Sequence, residues 1–189
     1  PSLALKDFDI LSDDEKTEAV ALLNKYEQLE KQDDCQHDFI KFVEHMWPEF
    51  VEGRHHKIIG EKFNRIAQGK LKRLIVCLPP RHTKSEFAST YFPAWMMGLR
   101  GDLKIIQTTH TAAGRWTTNE GGESFYSGVG GAITGRGADL LIIDDPVSEQ
   151  DALSPTAMDS VYEWYTSGPR QRLQPGGIIV IVMTRWSTK

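Results

Sequence analysis

Two short stretches of the sequence carry side chains that could bind a phosphate group and a metal ion. The first is the loop Pro80-Arg81-His82-Thr83-Lys84-Ser85-Glu86. It precedes a helical pattern and follows an apolar run over residues 74–78, which predicts a fully buried parallel strand. Backbone N–H groups of such a loop, and the positive end of the following helix, can cradle a β-phosphate. Lys84 would then bridge the β- and γ-phosphates, and the Ser85 hydroxyl would bind Mg²⁺. This order of strand, loop and helix is the layout of a phosphate-binding P-loop.

The match to the strict P-loop pattern is incomplete. Leu78 and Thr83 occupy the two glycine positions, so that only the Lys-Ser pair of the pattern remains. A Lys-Ser pair at the start of a helix is also typical of an exposed first turn that binds nothing. The loop therefore predicts a nucleotide site only in combination with other residues.

The second stretch begins at Asp139 and continues as an apolar run over residues 140–143 that ends in two carboxylates, Asp144 and Asp145, before Pro146. An aspartate at the carboxyl end of a buried strand would lie beside the Mg²⁺ that Ser85 holds. Asp145 would orient or deprotonate a water molecule that attacks the γ-phosphate. The alternative is a strand that ends in a solvated Asp-Asp-Pro turn. Two such strands in this order favour an ATPase.

A family resemblance emerges when these stretches are combined with two others. Residues 79–85, residues 134–139 leading to residues 144–146, and residues 183–186 together resemble the ATPase domain of the large terminase subunits, the motors that pump DNA into procapsids of tailed bacteriophages. The resemblance implies an α/β fold of the P-loop NTPase (ASCE) type, with a central, mainly parallel sheet flanked by helices. It also implies Mg²⁺-dependent ATP hydrolysis that drives translocation of double-stranded DNA.

The same resemblance implies partners, a location and further site residues. The partners would be a portal protein, a small terminase subunit and other copies of the chain in a ring on the capsid. The protein would act in the cytoplasm of the infected bacterial host and transiently at the portal vertex. Thr184 would link loss of the γ-phosphate to movement of the DNA-gripping part. The segment with His55 and His56 would lie beside the adenine, although a histidine pair at the start of a helix is more often a capping feature.

Charge on the transferred γ-phosphate commonly requires an arginine finger in addition to the lysine and the metal. Arg81 lies within the loop and could reach the phosphates of its own subunit. Arg136 lies in a glycine-rich stretch that we expect near the nucleotide edge, from which it could reach a neighbouring subunit. Asp145 occupies a position that a glutamate often fills in the family.

Composition sets limits on these expectations. The chain has 189 residues, of which 40% are hydrophobic and 25% charged, with two cysteines and a net charge of −4. The negative charge argues against a general nucleic-acid-coating protein but is compatible with a motor that grips DNA through a local patch. No apolar run is long enough to span a membrane, and no signal segment is recognisable. Cys77 is expected to be a buried small residue, and so few cysteines fit a reducing compartment.

Helical patterns precede the ATPase motifs. Residues 12–31 open with a capping box and predict an amphipathic helix, and residues 36–47 predict a second one; both are expected to pack on the core. We therefore divide the chain into an N-terminal helical segment, residues 1–52, and an ATPase core, residues 53–189. Nothing matches the nuclease domain that terminases carry beyond this region, so an isolated motor domain without nuclease activity is expected.

The remaining patterns continue the alternation of strands and helices. Strands are predicted at residues 103–108, at Phe125 and Tyr126, and at residues 178–183, and a helix is predicted from Ser154 to Tyr165. Pro93 should kink the helix after the loop, and residues 175–177 should form a turn. After His110 the family usually carries tens of residues, whereas this chain passes directly to residues 111–116. That connection is either deleted or a disordered loop missing from the sequence.

Three other functions remain open at this point. A helicase-like, nucleic-acid-dependent ATPase would share the core, although no further nucleic-acid motif is found. The missing glycines suggest a non-catalytic nucleotide-binding scaffold. The third alternative is a structural α/β domain that binds no nucleotide.

Overall fold

The computed structural model describes residues 12–109, 114–131, 133 and 135–186. Within this part of the chain, helices and strands alternate along most of the sequence. The helices are α1 (Asp13–His37), α2 (Phe39–Met46), α3 (Arg54–Ala67), α4 (Phe92–Leu99) and α5 (Pro155–Ser167). The strands are β1 (Arg73–Cys77), β2 (Lys104–Thr108), β3 (Gly114–Thr117), β4 (Glu123–Ser127), β5 (Ala138–Asp144) and β6 (Leu173–Met183). A π-helical segment, Glu86–Tyr91, leads directly into α4.

The strands form one six-stranded sheet in the order β1-β6-β5-β2-β4-β3. Every neighbouring pair is parallel except β3 and β4, which are antiparallel. Helix α5 forms the crossover connection that the parallel pair β5 and β6 needs, whereas β3 lies between the parallel strands β2 and β4 in the sequence. The predicted α/β class with a mainly parallel sheet flanked by helices is therefore confirmed. β3 is an addition that the sequence patterns did not indicate.

The largest part of the core lies on one face of the sheet, where α2 and α3 meet the helix that follows the loop. The Phe39 ring on α2 makes edge-on contacts with the rings of Phe63 at 4.9 Å, Phe87 at 5.3 Å and Trp95 at 5.5 Å. Edge-to-face geometry is the arrangement that aromatic quadrupoles favour. Asp38 caps α2 by accepting hydrogen bonds from the N–H groups of residues 40 and 41. Helix α2 is thus an integral part of this core, as the predicted packing requires.

The opposite face carries a smaller core. Its buried residues are Ile106, Ile133, Ala138, Leu141, Ile143 and Ile179, with Tyr165 of α5 packed against them. Because β5 lies between β2 and β6 with a core on either face, most of its residues are buried. This agrees with the continuous apolar run over residues 140–143.

Strand β1 lies at the edge of the sheet, which corrects two predictions. Leu74 and Val76 are half-buried, whereas Ile75 is 64% exposed and Cys77 is exposed. The prediction of a fully buried strand over residues 74–78 is therefore wrong, and so is the prediction of a buried Cys77. The reason is that an edge strand has one neighbour only, here β6, and no described residues cover its second face.

Helix α1 begins as predicted but does not pack as predicted. Ser12 and Glu15 form the expected capping box, and the helix continues to His37, six residues beyond the predicted end at residue 31. None of its residues is buried, and Leu22, Leu23 and Tyr26 are each more than half exposed. The packing predicted for the apolar side of this helix is therefore wrong. Only its C-terminal end is held, where the indole N–H of Trp95 donates to the carbonyl of Cys35 at 2.7 Å.

Several remaining patterns were interpreted correctly and one was not. The predicted strands at residues 103–108 and 125–126 correspond to β2 and β4, and the predicted helix from Ser154 corresponds to α5 with Ser154 as its N-cap. Pro93 lies in the first turn of α4, where the helix changes from π to α geometry. Residues 175–177 form a bulge within β6 rather than a turn before it. The connection at residues 110–113 and Thr134 lie outside the described residues.

None of the described helices is both long enough and apolar enough to cross a membrane.

Candidate active site

The carboxyl ends of three adjacent parallel strands bring the predicted site residues to one edge of the sheet. Strand β6 lies between β1 and β5, with Cys77 paired to Met183 and Asp144 paired to Val182. The loop after β1, the acidic pair after β5 and Thr184 after β6 are therefore neighbours. Ligand sites in open α/β sheets form at this edge, outside the carboxyl ends of the strands.

Ser85 and Asp144 are in direct contact, as the metal prediction requires. The Ser85 hydroxyl donates to Asp144 Oδ1 at 3.0 Å, and the Ser89 hydroxyl donates to Asp144 Oδ2 at 2.9 Å. Asp144 is 7% exposed. Burial raises the pKa of the Asp144 carboxyl, the hydrogen bonds from Ser89 and Ser85 oppose this rise, and the charge of Asp145 adds to it.

Ser89 was missed by the sequence analysis. It lies four residues after Ser85, and residues four apart share one face of a helix. This spacing was the one signal that could have identified Ser89 as a second partner for the buried carboxylate.

The oxygen atoms of Ser85 and Asp144 are suitable ligands for Mg²⁺. This ion prefers oxygen ligands and is commonly held by one or two carboxylates together with substrate phosphates and water. A hydroxyl oxygen and a carboxylate oxygen 3.0 Å apart offer such a partial ligand set. Across the described ranges no group of three or more His, Cys, Asp or Glu residues could hold a metal ion. The residues therefore suit an ion that arrives with a nucleotide better than a fully protein-bound metal.

Lys84 and Asp145 form an ion pair at the centre of the site. Lys84 Nζ lies 2.6 Å from Asp145 Oδ2, and the two side chains are 9% and 30% exposed. Asp145 Oδ1 accepts a hydrogen bond from the backbone N–H of Thr184 at 2.8 Å. The backbone N–H of Asp145 donates to the carbonyl of Val182 at 2.8 Å. Asp145 thus connects the loop after β1 to the end of β6.

Two residues of the loop after β1 adopt left-handed backbone conformations, Arg81 with a φ of 62° and Thr83 with a φ of 55°. The Arg81 side chain is exposed and makes no hydrogen bond or ion pair within the described part of the chain. Its reach to phosphates in its own subunit stays a prediction. Pro80, His82 and Glu86 are exposed, and His82 Nδ1 lies 2.9 Å from the carbonyl of Pro80.

His56 is a second residue that supports the loop. Its Nε2 lies 2.7 Å from Thr83 Oγ1, and its Nδ1 accepts a hydrogen bond from the backbone N–H of Gly53 at 2.8 Å. The ring is buried against Phe50 and Phe87, each with its centroid 4.9 Å away. Both ring nitrogens are therefore occupied by the protein. The sequence suggested either a neighbour of the adenine or a helix-capping role for His56. The bond from the N-cap residue Gly53 confirms the capping role, whereas the contact with Thr83 was not predicted.

The structure does not bring Arg136 to this edge. Arg136 lies before the first residue of β5, whereas Asp144 is the last of its seven residues. At about 3.3 Å per residue, the strand separates the two by roughly 20 Å. Arg136 forms an ion pair with Glu123 and lies 4.4 Å above the centre of the Phe125 ring. The expected position near the nucleotide edge of the same subunit is therefore wrong, because the whole of β5 intervenes. Its action on a neighbouring subunit stays a prediction.

Thr184 lies where the sequence predicted, immediately after β6, and is buried. Besides the hydrogen bond from its backbone N–H to Asp145, a second bond joins the segments that follow β5 and β6. The indole N–H of Trp186 donates to the carbonyl of Val147 at 3.1 Å. Thr184 and Trp186 thus join the end of β6 to the segment that follows β5.

The sequence was compared with models of known protein families and with functionally characterised proteins, and neither comparison found a match. Inferences about function therefore depend on the motifs and on the geometry of the site.

Proposed function

We propose that this chain is a P-loop NTPase of the ASCE type that hydrolyses ATP with Mg²⁺ and uses the energy to move double-stranded DNA into a viral procapsid. The observation that supports the ATPase most strongly is the meeting of Lys84-Ser85 with Asp144-Asp145 at one sheet edge. These pairs are about sixty residues apart in sequence, yet two direct contacts, of 3.0 Å and 2.6 Å, join them. Lysine, hydroxyl and two carboxylates in this arrangement are the groups that phosphoryl transfer requires.

Each residue then has a defined task. When a nucleotide enters, Lys84 leaves Asp145 and binds the β- and γ-phosphates. Lys84 has this task because its ammonium group already lies at this position. Ser85 and Asp144 would hold Mg²⁺, which would supply positive charge against the phosphates. Asp145, released from Lys84, accepts a proton from the attacking water or orients it. The Thr184 backbone N–H donates to Asp145, and by the resemblance its side chain would link loss of the γ-phosphate to movement of the DNA-gripping part.

The DNA-packaging part of the proposal is supported by the series of motifs. The loop at residues 79–85, the acidic pair before Pro146 and the Met183-Thr184-Arg185-Trp186 segment occur in the order seen in large terminase subunits. By this resemblance the partners are double-stranded DNA, a portal protein, a small terminase subunit and further copies of the chain in a ring. The place of action is the cytoplasm of an infected bacterium and the portal vertex of the procapsid.

Steady-state ATP turnover with and without Mg²⁺ tests the proposed ATPase. We expect turnover that needs Mg²⁺ and that is abolished by Lys84→Ala, since no other cation of the loop occupies the same position. Lys70→Ala is the matched control, because Lys70 is an exposed lysine before β1. Parental turnover in Lys84→Ala would overturn the assignment of the loop.

The other functions give different results in the same experiments. Nucleotide binding without turnover would identify a nucleotide-binding scaffold. Turnover coupled to strand separation rather than to DNA uptake by procapsids would identify a helicase-like enzyme. A chain that neither binds nor hydrolyses ATP would be a structural α/β domain.

A further inference from the structure

Thr83 has a backbone conformation that its residue type disfavours. Its φ of 55° lies in the left-handed region, where a β-branched residue is a clear outlier. Thr83 occupies the second glycine position of the strict P-loop pattern, and glycine adopts such angles without strain. Residues held in this region persist only when surrounding contacts determine their position. The contacts of Thr83 therefore have to offset a backbone strain that a glycine at this position would not have.

A series of hydrogen bonds leads from Gly53 through His56 to the Thr83 side chain and on to the carbonyl of His82. The Gly53 N–H can only donate, so His56 Nδ1 is the acceptor at 2.8 Å. The neutral ring then carries its proton on Nε2 and donates to Thr83 Oγ1 at 2.7 Å. Thr83 in turn donates to the carbonyl of His82 at 2.7 Å. Each group has a consistent role, which assigns the Nε2–H tautomer to His56.

The residues that hold Thr83 are themselves fixed in the core. His56 is 5% exposed, and its ring stacks on Phe87 with an interplanar angle of 28°. Phe87 is also tied to the loop, because its backbone N–H donates to the carbonyl of Thr83 at 3.0 Å. Ile59 and Phe63, one and two turns further along α3, are part of the main core. Thr83 is therefore held at its side chain and at its carbonyl by groups anchored in the core.

We propose that His56 is a positioning residue of the phosphate-binding loop. Its Nε2–H group holds Thr83 in the left-handed conformation, so that the loop has the shape needed to bind phosphate before the nucleotide arrives. The inference rests on the proposed function in so far as the ligand is a nucleotide, whereas the hydrogen-bond chain does not depend on any ligand.

The proposal predicts a pH dependence. The ionisable groups around the ring are His55 on α3, Glu52 before α3 and His82 on the loop. Burial lowers the pKa of His56, the neighbouring His55 and His82 lower it further, and Glu52 opposes them. A protonated ring would place an N–H against the Gly53 N–H, and that bond would be lost. Support of the loop is thus present at neutral pH and is lost as the pH falls through the lowered pKa.

Binding of Mg·ATP to a set of variants tests the positioning role. We expect His56→Phe, which keeps an aromatic ring but has no donor for Thr83, and Thr83→Val each to weaken binding about tenfold, as loss of one buried hydrogen bond can do. Thr83→Ser keeps the hydroxyl and should stay within about twofold of the parent. In a Thr83→Gly background, His56→Phe should cost less than about twofold, because glycine needs no support. The exposed His45 provides the matched control His45→Phe.

A measurement without nucleotide separates failure of this inference from failure of the proposed function. Nitrogen-15 NMR of the histidine rings in the unliganded parent should show the Nε2–H tautomer for His56, and Thr83→Val should shift its Nε2 signal. An Nδ1–H tautomer, or no response to Thr83→Val, would overturn the inference whether or not ATP binds. A tenfold cost of His56→Phe that persists in the Thr83→Gly background would also overturn it. A parent that binds no ATP would refute the proposed function, and the two NMR results would still decide whether His56 holds Thr83.

Discussion

The ion pair between Lys84 and Asp145 predicts an unusual phenotype for Asp145→Asn, namely tighter ATP binding together with slower hydrolysis. In the unliganded protein the lysine that should bind phosphate is already neutralised by a carboxylate 2.6 Å away. A nucleotide must therefore displace Asp145 from Lys84. Asparagine lacks the charge, so the displacement costs less and the repulsion between Asp145 and the incoming phosphates disappears.

The size of the effect follows from the geometry. Two unit charges 2.6 Å apart interact by about 6 kcal/mol at an effective dielectric constant of about 20. Loss of hydration offsets most of this, and hydrogen bonds to charged groups contribute a net 1.5–3 kcal/mol, approximately. Because the Asp145 side chain is 30% exposed, solvent screening reduces the value further, to about 1–2 kcal/mol. We therefore expect ATP to bind about 5- to 30-fold more tightly. Loss of the general base should slow hydrolysis roughly 10²- to 10⁴-fold.

Equilibrium binding of a fluorescent ATP analogue and single-turnover hydrolysis measure the two effects separately. Asp139→Asn is the matched control. Asp139 lies near the amino end of β5, the strand that Asp145 follows, and accepts a hydrogen bond from the backbone N–H of Lys104. Both quantities should stay near the parental values in this control. Weaker ATP binding by Asp145→Asn, or hydrolysis at the parental rate, would refute the exchange of Lys84 between carboxylate and phosphate.

Three further predictions concern the other site residues. Asp144→Asn removes a buried carboxylate whose pKa is raised by burial. It should stabilise the unliganded protein by about 1 kcal/mol at pH 7 and weaken Mg²⁺-dependent ATP binding. The gain in stability should vanish below the ordinary pKa of 3.8, where the parental carboxyl is protonated. Thermal unfolding of parent and variant at pH 7 and below that pKa measures this gain, and an absent or reversed gain at pH 7 would contradict the prediction. Thr184→Ala retains the backbone bond to Asp145 and should spare ATP binding while reducing DNA packaging by the assembled motor; equal losses would contradict the coupling role. Arg81→Ala should lower turnover at every protein concentration, whereas Arg136→Ala should remove only the activity gained on assembly. Mixtures of Arg136→Ala with Lys84→Ala subunits that behave as a plain average would exclude action between subunits.

The local signals in the sequence predicted most of the secondary structure and much of the candidate site. The capping box at Ser12, the Ser154-Pro155 helix start and the apolar run of β5 involve neighbours within a few residues, so the sequence alone contains the interactions that decide them. The convergence of Ser85 with Asp144 was also predictable, because the carboxyl ends of parallel strands meet at the same edge of a sheet.

The tertiary structure decided what lies against each apolar or charged side chain. Periodicity marks one side of α1 as apolar, yet that side remains exposed, because a pattern does not supply a surface that covers it. The apolar run of β1 did not reveal that this strand has a single neighbour. The glycine-rich stretch did not reveal that β5 separates Arg136 from Asp144.

The same reason explains why the support of the loop could not be predicted. The sequence shows that a threonine replaces a glycine at position 83 and leaves open how the loop tolerates it. His56 lies 27 residues earlier, and only the packing of α3 against the helix after the loop brings its ring to Thr83. Local residue preferences determine which conformations are strained, whereas contacts between residues far apart in sequence determine which strained conformations are held.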